Sequence, residues 1–462
     1  MDGQLFTFVP TLAWASELLA ACSMLRRDFF SLLAAFSTTP LAFAQNTMTQ
    51  THLDFDHVPW SRNANIYEVN IRQYTREGTL KAFALHLPRL QKMGVDILWL
   101  MPIQPIGKKE RKGALGSYYS ISDYTAVNPE FGVLGDVKAL VRQAHASGMK
   151  VILDWVANHT AWDHPWATQH KDWYKLNAQG DLFPVTFTNG PEPEYWTDVI
   201  ALNYNNPALW DGMIDAMKFW VKETDLDGFR CDVAGLVPTP FWERARKELD
   251  AAKPMFMLAE WSEVDLHRSA FDMTYDWELL DAMKEIAKGK ADATKLRQWL
   301  TQPKKAFPRS AYRMLFTNNH DKNSWDGTDA ELFGDAYQAF AVLTFTLPGM
   351  PLIYGGQESR LVKRLAFFEK DPIDWKHYEL ESFYTELLAL KRHNKALANG
   401  QYGGATELHN AGNDKVFSFS RKREGNVVMV AVNVSAAAQT YRAIDGSRQS
   451  LDAWRWRIDA SA

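Results

Sequence analysis

From Ile66 onward the chain alternates short apolar runs with amphipathic helical segments, and no other feature restricts its fold as much. Ile66-Tyr-Glu-Val-Asn, Val95-Asp-Ile-Leu-Trp-Leu and Lys150-Val-Ile-Leu-Asp-Trp-Val read as the first three strands. Residues 79–93, with Leu80, Phe83, Leu87 and Leu90 on one face, and residues 135–147 read as the helices between them. Helices around 207–223 and 241–252 lead into strands at 226–232 and 255–260, and runs at 271–275, 313–317 and 351–354 complete the series. Strands joined through helices lie parallel, because the crossover returns the chain to the same end of the sheet. Eight such units predict an α/β fold, a closed (β/α)8 TIM barrel rather than an open sheet.

Two stretches break the alternation. Some forty residues rich in Trp, Asn, Pro and Asp separate the third strand from the helix near Pro207, a length that marks a functional loop or small subdomain. After about residue 395, Lys415-Val-Phe-Ser-Phe-Ser, Val427-Val-Met-Val-Ala-Val-Asn-Val and Trp454-Arg-Trp-Arg-Ile follow one another without helices, predicting a small antiparallel β domain. The expected organisation is a presequence at 1–44, barrel at 45–159 and 207–395, an insertion at 160–206 and the β domain at 396–462. Within 1–44, Met24-Leu-Arg-Arg runs into an apolar core and reaches Ala42-Phe43-Ala44, the pattern of a cleaved signal peptide. Arg26-Arg27 resembles a twin-arginine signal, and a lipoprotein reading of Leu19-Ala-Ala-Cys22 ranks second because no Lys or Arg precedes it. The expected destination is periplasmic or secreted, with no membrane association after signal removal. Cleavage would leave Cys231 as the single cysteine, so no internal disulfide is expected. A net charge of -4, with both signs dispersed, gives no reason to expect nucleic acid as a partner.

Chemistry in such a barrel belongs at the C-terminal ends of the strands. Four predicted strand ends carry polar residues straight after apolar runs: Asp154 with Asn158 and His159, Arg230 with Asp232, Glu260, and His320 with Asp321. One such cluster is readily a helix cap or a surface ion pair, but four at one rim call for another explanation. Several carboxylates and an arginine suit glycosidic bond cleavage, in which one carboxylate attacks carbon and another exchanges a proton with oxygen. Arg230 and Asp232 lie two apart and so on one side of a strand, which predicts a charged, oriented carboxylate at Asp232. Glu260 sits between Met255-Phe-Met-Leu-Ala and Trp261, an apolar setting that predicts a protonated carboxyl.

The motifs Asp154-Trp-Val-Ala-Asn-His159, Gly228-Phe-Arg-Cys-Asp232, Leu258-Ala-Glu260 and Phe316-Thr-Asn-Asn-His-Asp321 resemble those of the α-amylase superfamily of glycoside hydrolases. Gly349-Met-Pro-Leu-Ile-Tyr-Gly-Gly-Gln-Glu358 and Gly116-Ser-Tyr-Tyr-Ser-Ile-Ser-Asp-Tyr124 add to the likeness. The resemblance implies Asp232 as nucleophile, Glu260 as general acid and base, and Asp321 as a binder of sugar hydroxyls. It also implies that Arg230 orients Asp232, His159 and His320 hydrogen-bond the sugar, Tyr119 stacks beneath it and Asp154 supports the site. The insertion corresponds to the family's domain B and the terminal region to its domain C. An α-glucan or malto-oligosaccharide is the implied substrate, and cleavage retains anomeric configuration.

Two departures qualify this. The family's frequent calcium site takes Asn158, a domain B Asp and a backbone carbonyl, but Ala201 stands where that Asp belongs. No metal is therefore expected unless Asp198 or Asp181 substitutes. Endo-acting members commonly carry Lys-His three residues after the nucleophile, whereas this chain has Gly235-Leu236. The sequence Asp232-Val-Ala is more like members that cut cyclodextrins, pullulan or short oligosaccharides, so α-1,6 cleavage and transglycosylation stay open. Trp162, Trp166, Trp196, Trp261 and Trp325 lie in rim segments where an indole could stack on sugar, whereas Trp99 and Trp220 read as core.

Overall fold

Apolar on both faces, the strands can be satisfied only if side chains fill one side and helices cover the other. The computed structural model describes residues 55–188, 192–375 and 377–461, and there the strands close into a parallel barrel. In chain order these are β1 (Ile66–Val69), β2 (Ile97–Leu100), β3 (Lys150–Trp155), β4 (Gly228–Cys231), β5 (Phe256–Ala259), β6 (Met273–Tyr275), β7 (Tyr312–Leu315) and β8 (Met350–Tyr354). Each pairs with its neighbour, and β1 closes on β8 through Ile66 opposite Leu352. Where β4 meets β5 the packing is close: a Cβ at Gly228 would stand 1.9 Å from the Phe256 carbonyl oxygen. Phe229, Met257, Met273, Met314 and Leu352 contribute to one continuous buried core. The presequence at 1–44 lies outside the described residues.

The helix expected over 79–93 divides into Leu80–Ala84 and Leu87–Met93. Pro88 is the reason: it has no N–H to return to Ala84, and its ring crowds that carbonyl. The long connection after β3 contains a three-stranded antiparallel sheet, in which Glu194–Ala201 pairs with both His159–Ala161 and Pro184–Phe187. At the C-terminus, Val416–Arg423, Asn426–Asn433 and Trp456–Ser461 follow the predicted runs. Three further strands, Thr406–Leu408, Gln439–Arg442 and Arg448–Leu451, were not foreseen; they are short and mostly polar, with little periodicity to betray them.

Candidate active site

The residues of interest sit at or just past the C-terminal ends of the strands because the parallel register carries them to one rim. Asp154 and Arg230 are partners across β3 and β4, which places them side by side. Arg230 is fully buried and its guanidinium is the hub. Nη1 donates to Asp154 Oδ1 at 2.8 Å and to Asp232 Oδ1 at 2.9 Å. Nη2 forms an ion pair at 2.8 Å with Glu260 Oε2, off the line of a directed hydrogen bond. Nε donates to the Tyr275 hydroxyl at 3.3 Å.

Arg230 therefore touches both carboxyls and cannot by itself keep one charged and the other protonated, which corrects the expected division. Burial and the charge of Glu260 push the Asp232 carboxyl well up, against the pull of Arg230. Burial also raises Glu260, again opposed by Arg230, and burial raises Asp154. Three carboxyls thus share one guanidinium. Glu260 Oε2 also accepts the Val233 N–H at 2.8 Å, whereas Oε1 has no partner among the described residues. That N–H is aimed by an uncommon backbone: Val233, a β-branched residue, has φ 37° and ψ 46°.

On the other side of the hub, His320 Nδ1 donates to Glu68 Oε1 at 2.5 Å, and its Nε2 faces the Tyr119 hydroxyl at 2.7 Å. Burial disfavours the imidazolium, but the carboxylates of Asp321 and Glu68 outweigh it and raise His320 to about 9. The protonated ring then donates from both nitrogens, and the Tyr119 hydroxyl donates to Asp154 Oδ2 at 3.1 Å. Asp321 Oδ1 is 3.3 Å from His320 Nε2. His159 is lowered to about 4 by burial and stays neutral, its ring edge-on to Trp196 at 5.7 Å.

Asp154, Tyr119, Arg230, Asp232, Glu260, His320 and Asp321 thus come together as one network. Glu68, Trp99 and Tyr275 belong to it as well and were not foreseen; Trp99, read as core, donates Nε1 to Asp154 at 3.0 Å. A carboxylate inside the otherwise apolar β1 was the available signal for Glu68. Beside the carboxyls opens a cavity of about 890 Å³ lined in part by Trp196, Glu260, Trp261, Trp277 and Asp321. Trp261 lies directly over Gly235, where a Cβ would meet the indole at 2.1 Å. Trp166 instead packs against Tyr124 and Trp173, and Trp162 ties its Nε1 to the Thr197 carbonyl.

The calcium site that the resemblance implies lacks one carboxylate, because Ala201 has no side-chain ligand to offer. The Asn158 amide contacts His159 Nδ1 at 3.2 Å, and Ala201 faces His159 across the ladder. Asp198 lies three residues from Ala201 on the same strand, so its side chain leaves the opposite face. There it pairs with Lys112 Nζ at 2.9 Å. Asp181 is exposed in the turn that begins at Asn177. Among the described residues no cluster of three or more acidic, His or Cys side chains fits a metal.

Comparison with known proteins agrees with this architecture. The family description "Alpha amylase, catalytic domain" matches residues 40–379. The α-amylase MalA of Haloarcula japonica is 26% identical over 404 residues, 84% of this chain and 57% of that protein. A cyclomaltodextrinase of Thermoanaerobacter pseudethanolicus is 25% identical over 78% of this chain and 64% of its own length. The chain thus spans less than two thirds of either relative. The crystal structure of an α-amylase from Lactobacillus plantarum superposes with a TM-score of 0.77 at 29% identity, covering 87% of this chain and all of that one. A noncanonic maltogenic α-amylase, AmyB of Thermotoga neapolitana, superposes at 0.74 with 28% identity over 86% of this chain and 96% of that one. With the barrel, the carboxylate cluster and the family match in agreement, the chain belongs to the α-amylase family of glycoside hydrolases.

Proposed function

We propose that the protein hydrolyses α-1,4-glucosidic bonds of an α-glucan or malto-oligosaccharide by double displacement with retention. The observation that supports this most is Arg230 in contact with both Asp232 and Glu260. Two carboxyls against one guanidinium lie close together, which suits the roughly 5 Å spacing of retaining enzymes rather than the wider gap that admits a water. Glu260, with Oε1 free, protonates the glycosidic oxygen while Asp232 attacks the anomeric carbon. The aglycone leaves, and Glu260 then takes a proton from the water that hydrolyses the glycosyl ester on Asp232. Arg230, itself held by the Tyr275 hydroxyl, braces the nucleophile, and Asp321, set beside His320, accepts hydrogen bonds from sugar hydroxyls. The test is the first-formed anomer from maltotriose, followed by NMR, together with Asp232→Asn. Retention and a loss on the order of 10⁴-fold in the variant are expected. An inverted product or near-normal turnover by Asp232→Asn would refute the assignment.

A second reading has its own observation. Trp261 seated on Gly235 builds an apolar wall where a larger side chain after the nucleophile cannot coexist with it. Such an acceptor site suits a cyclomaltodextrinase- or neopullulanase-like enzyme of short or α-1,6-linked substrates, and a transglycosylase competes for the same intermediate. Relatives named cyclomaltodextrinase and neopullulanase stand beside those named amylase. Rates on amylose, pullulan, isomaltose and cyclodextrin separate the readings. We also propose that activity needs no calcium, because Asp198 is neutralised by Lys112. Export, carried by the segment 24–44, would place the mature N-terminus at Gln45 in the periplasm or medium, which N-terminal sequencing of exported protein checks.

A further inference from the structure

Glu260 is fixed on one side by the barrel and on the other by side chains. Its N–H donates to the Cys231 carbonyl at 2.9 Å, where the ladder between β5 and β4 ends. The turn that follows, through Trp261, Ser262 and Glu263, lines the 890 Å³ cavity. Tyr275 N–H reaches it with a backbone bond to the Trp261 carbonyl at 3.0 Å. A general acid that leads into such a turn keeps its aim only if the turn itself is held, because proton transfer needs hydrogen-bond reach of the receiving oxygen.

Arg313, on β7, supplies that hold. Its side chain is 12% exposed, with the Phe307 ring packed against the guanidinium at 3.7 Å. Nη2 donates to Ser262 Oγ at 3.0 Å and to the Tyr275 carbonyl at 2.6 Å, and Nη1 donates to the Thr274 hydroxyl. Lys305, which also lines the cavity, adds a bond from Nζ to the Ser262 carbonyl at 2.6 Å. The carboxylate partner of Arg313, Asp276, stands 3.5 Å from Nε and caps the helix Trp277–Ala287 through the Leu279 N–H. An arginine serving Asp276 alone would need no hydroxyl of the turn. The planar fork of donors lets one side chain bind the turn and the end of β6 together.

The end of β6 is also where the hub is tied, because the Tyr275 hydroxyl accepts the Arg230 Nε–H at 3.3 Å. Arg313 thus joins the turn after the acid to the strand end that holds Arg230. We propose that Arg313 is a positioning residue for general acid catalysis: through Ser262 it sets the turn so that Glu260 keeps Oε1 directed at the glycosidic oxygen while Oε2 stays on the Val233 N–H and Arg230. This rests on the hydrolase reading given above. Help from an acid counts most where the aglycone leaves poorly, so a displaced Glu260 shows first on poor leaving groups. A side chain that merely stabilised the barrel would lower the rate on every substrate alike.

The test measures kcat/KM for Ser262→Ala, Ser262→Thr and Arg313→Gln on aryl α-maltosides whose leaving groups run from 4-nitrophenol, which departs readily, to phenol, which needs a proton. All carry the same sugar and an aromatic aglycone, so binding changes little along the series. Ser262→Ala should lose about tenfold on the phenyl substrate and about twofold on the 4-nitrophenyl one, the pattern of a weakened acid rather than of weakened binding. Ser262→Thr should recover most of the loss, because the hydroxyl returns. Arg313→Gln should give the same dependence on leaving group, and adding Ser262→Ala to it should cost little more, since the two act through one bond. Equal losses along the series for Ser262→Ala, or none on the phenyl substrate, would overturn the positioning role even if Arg313→Gln does not fold. Failure of the unaltered protein to cleave the aryl maltosides or maltotriose would instead overturn the hydrolase reading, and the positioning role with it.

Discussion

At the scale of single residues, the site is governed by how few cations serve many carboxyls. Arg230 meets Asp154, Asp232 and Glu260, and the other cation at the hub among the described residues is the imidazolium of His320, held by Glu68 and Asp321. His320 is raised from its ordinary value to about 9, so the stability gained from its charge is complete below the unfolded value near 6.5 and is lost as pH rises through about 9. Glu68→Gln removes one of its two carboxylate partners and lets His320 titrate lower. The variant should lose about 1–3 kcal/mol at neutral pH and begin its alkaline decline at lower pH, read by thermal melts across that range. An alkaline limb identical to that of the parent would contradict the role given to Glu68. Gly235→Ala belongs to the same scale: its Cβ would collide with the Trp261 indole and displace it. KM for oligosaccharides should rise several-fold while α-glucosyl fluoride turnover changes little, since that substrate has no sugar aglycone for Trp261 to meet.

Among the elements, the barrel strands bring the right side chains to one rim, and the loops decide what surrounds them. The strand Glu194–Ala201 is anchored by its inner half, where Asp198 is buried and paired with Lys112 from the segment after β2. Lys112→Met would strand that carboxylate, and because the lysine is partly exposed the expected loss is about 1–2 kcal/mol. Removal of divalent cations with a chelator should leave the melting temperature and activity of the parent unchanged; a clear fall in either would restore calcium to the account. Strand positions and the four motifs were legible because apolar runs of fixed period end abruptly in charged residues. The break at Pro88 was legible in principle but lay inside a helical pattern that period alone favours. The short polar strands after Gly403 were not, because three or four residues with little alternation of side chains leave no period to read.

For the whole molecule, the C-terminal sheet and the barrel share one core: Phe417, Phe419, Val428 and Val430 join the same buried cluster as Phe340 and Leu343 of the helix Tyr337–Thr346. Arg421, buried in that sheet, donates to the carbonyls of Thr346 and Leu347 at 3.1 and 3.0 Å and to those of Gly404 and Ala398 at 3.0 and 3.1 Å. It satisfies the end of the helix packed behind β8 as well as its own sheet. Arg421→Met should therefore destabilise the barrel and sheet together, by about 3–5 kcal/mol and in a single unfolding transition. Two transitions in calorimetry, one unchanged, would show that they are independent. By itself the sequence determined the barrel, the inserted and terminal β regions and the identity of the charged residues at the strand ends, because period and motif are local properties. Only the tertiary structure decided that one guanidinium serves both central carboxyls, that Glu68 charges His320, that Lys112 meets Asp198, and that Arg313 ties the turn after Glu260 to the end of β6. Each of these depends on which strand ends and loops become neighbours when the barrel closes, and no spacing along the chain records that.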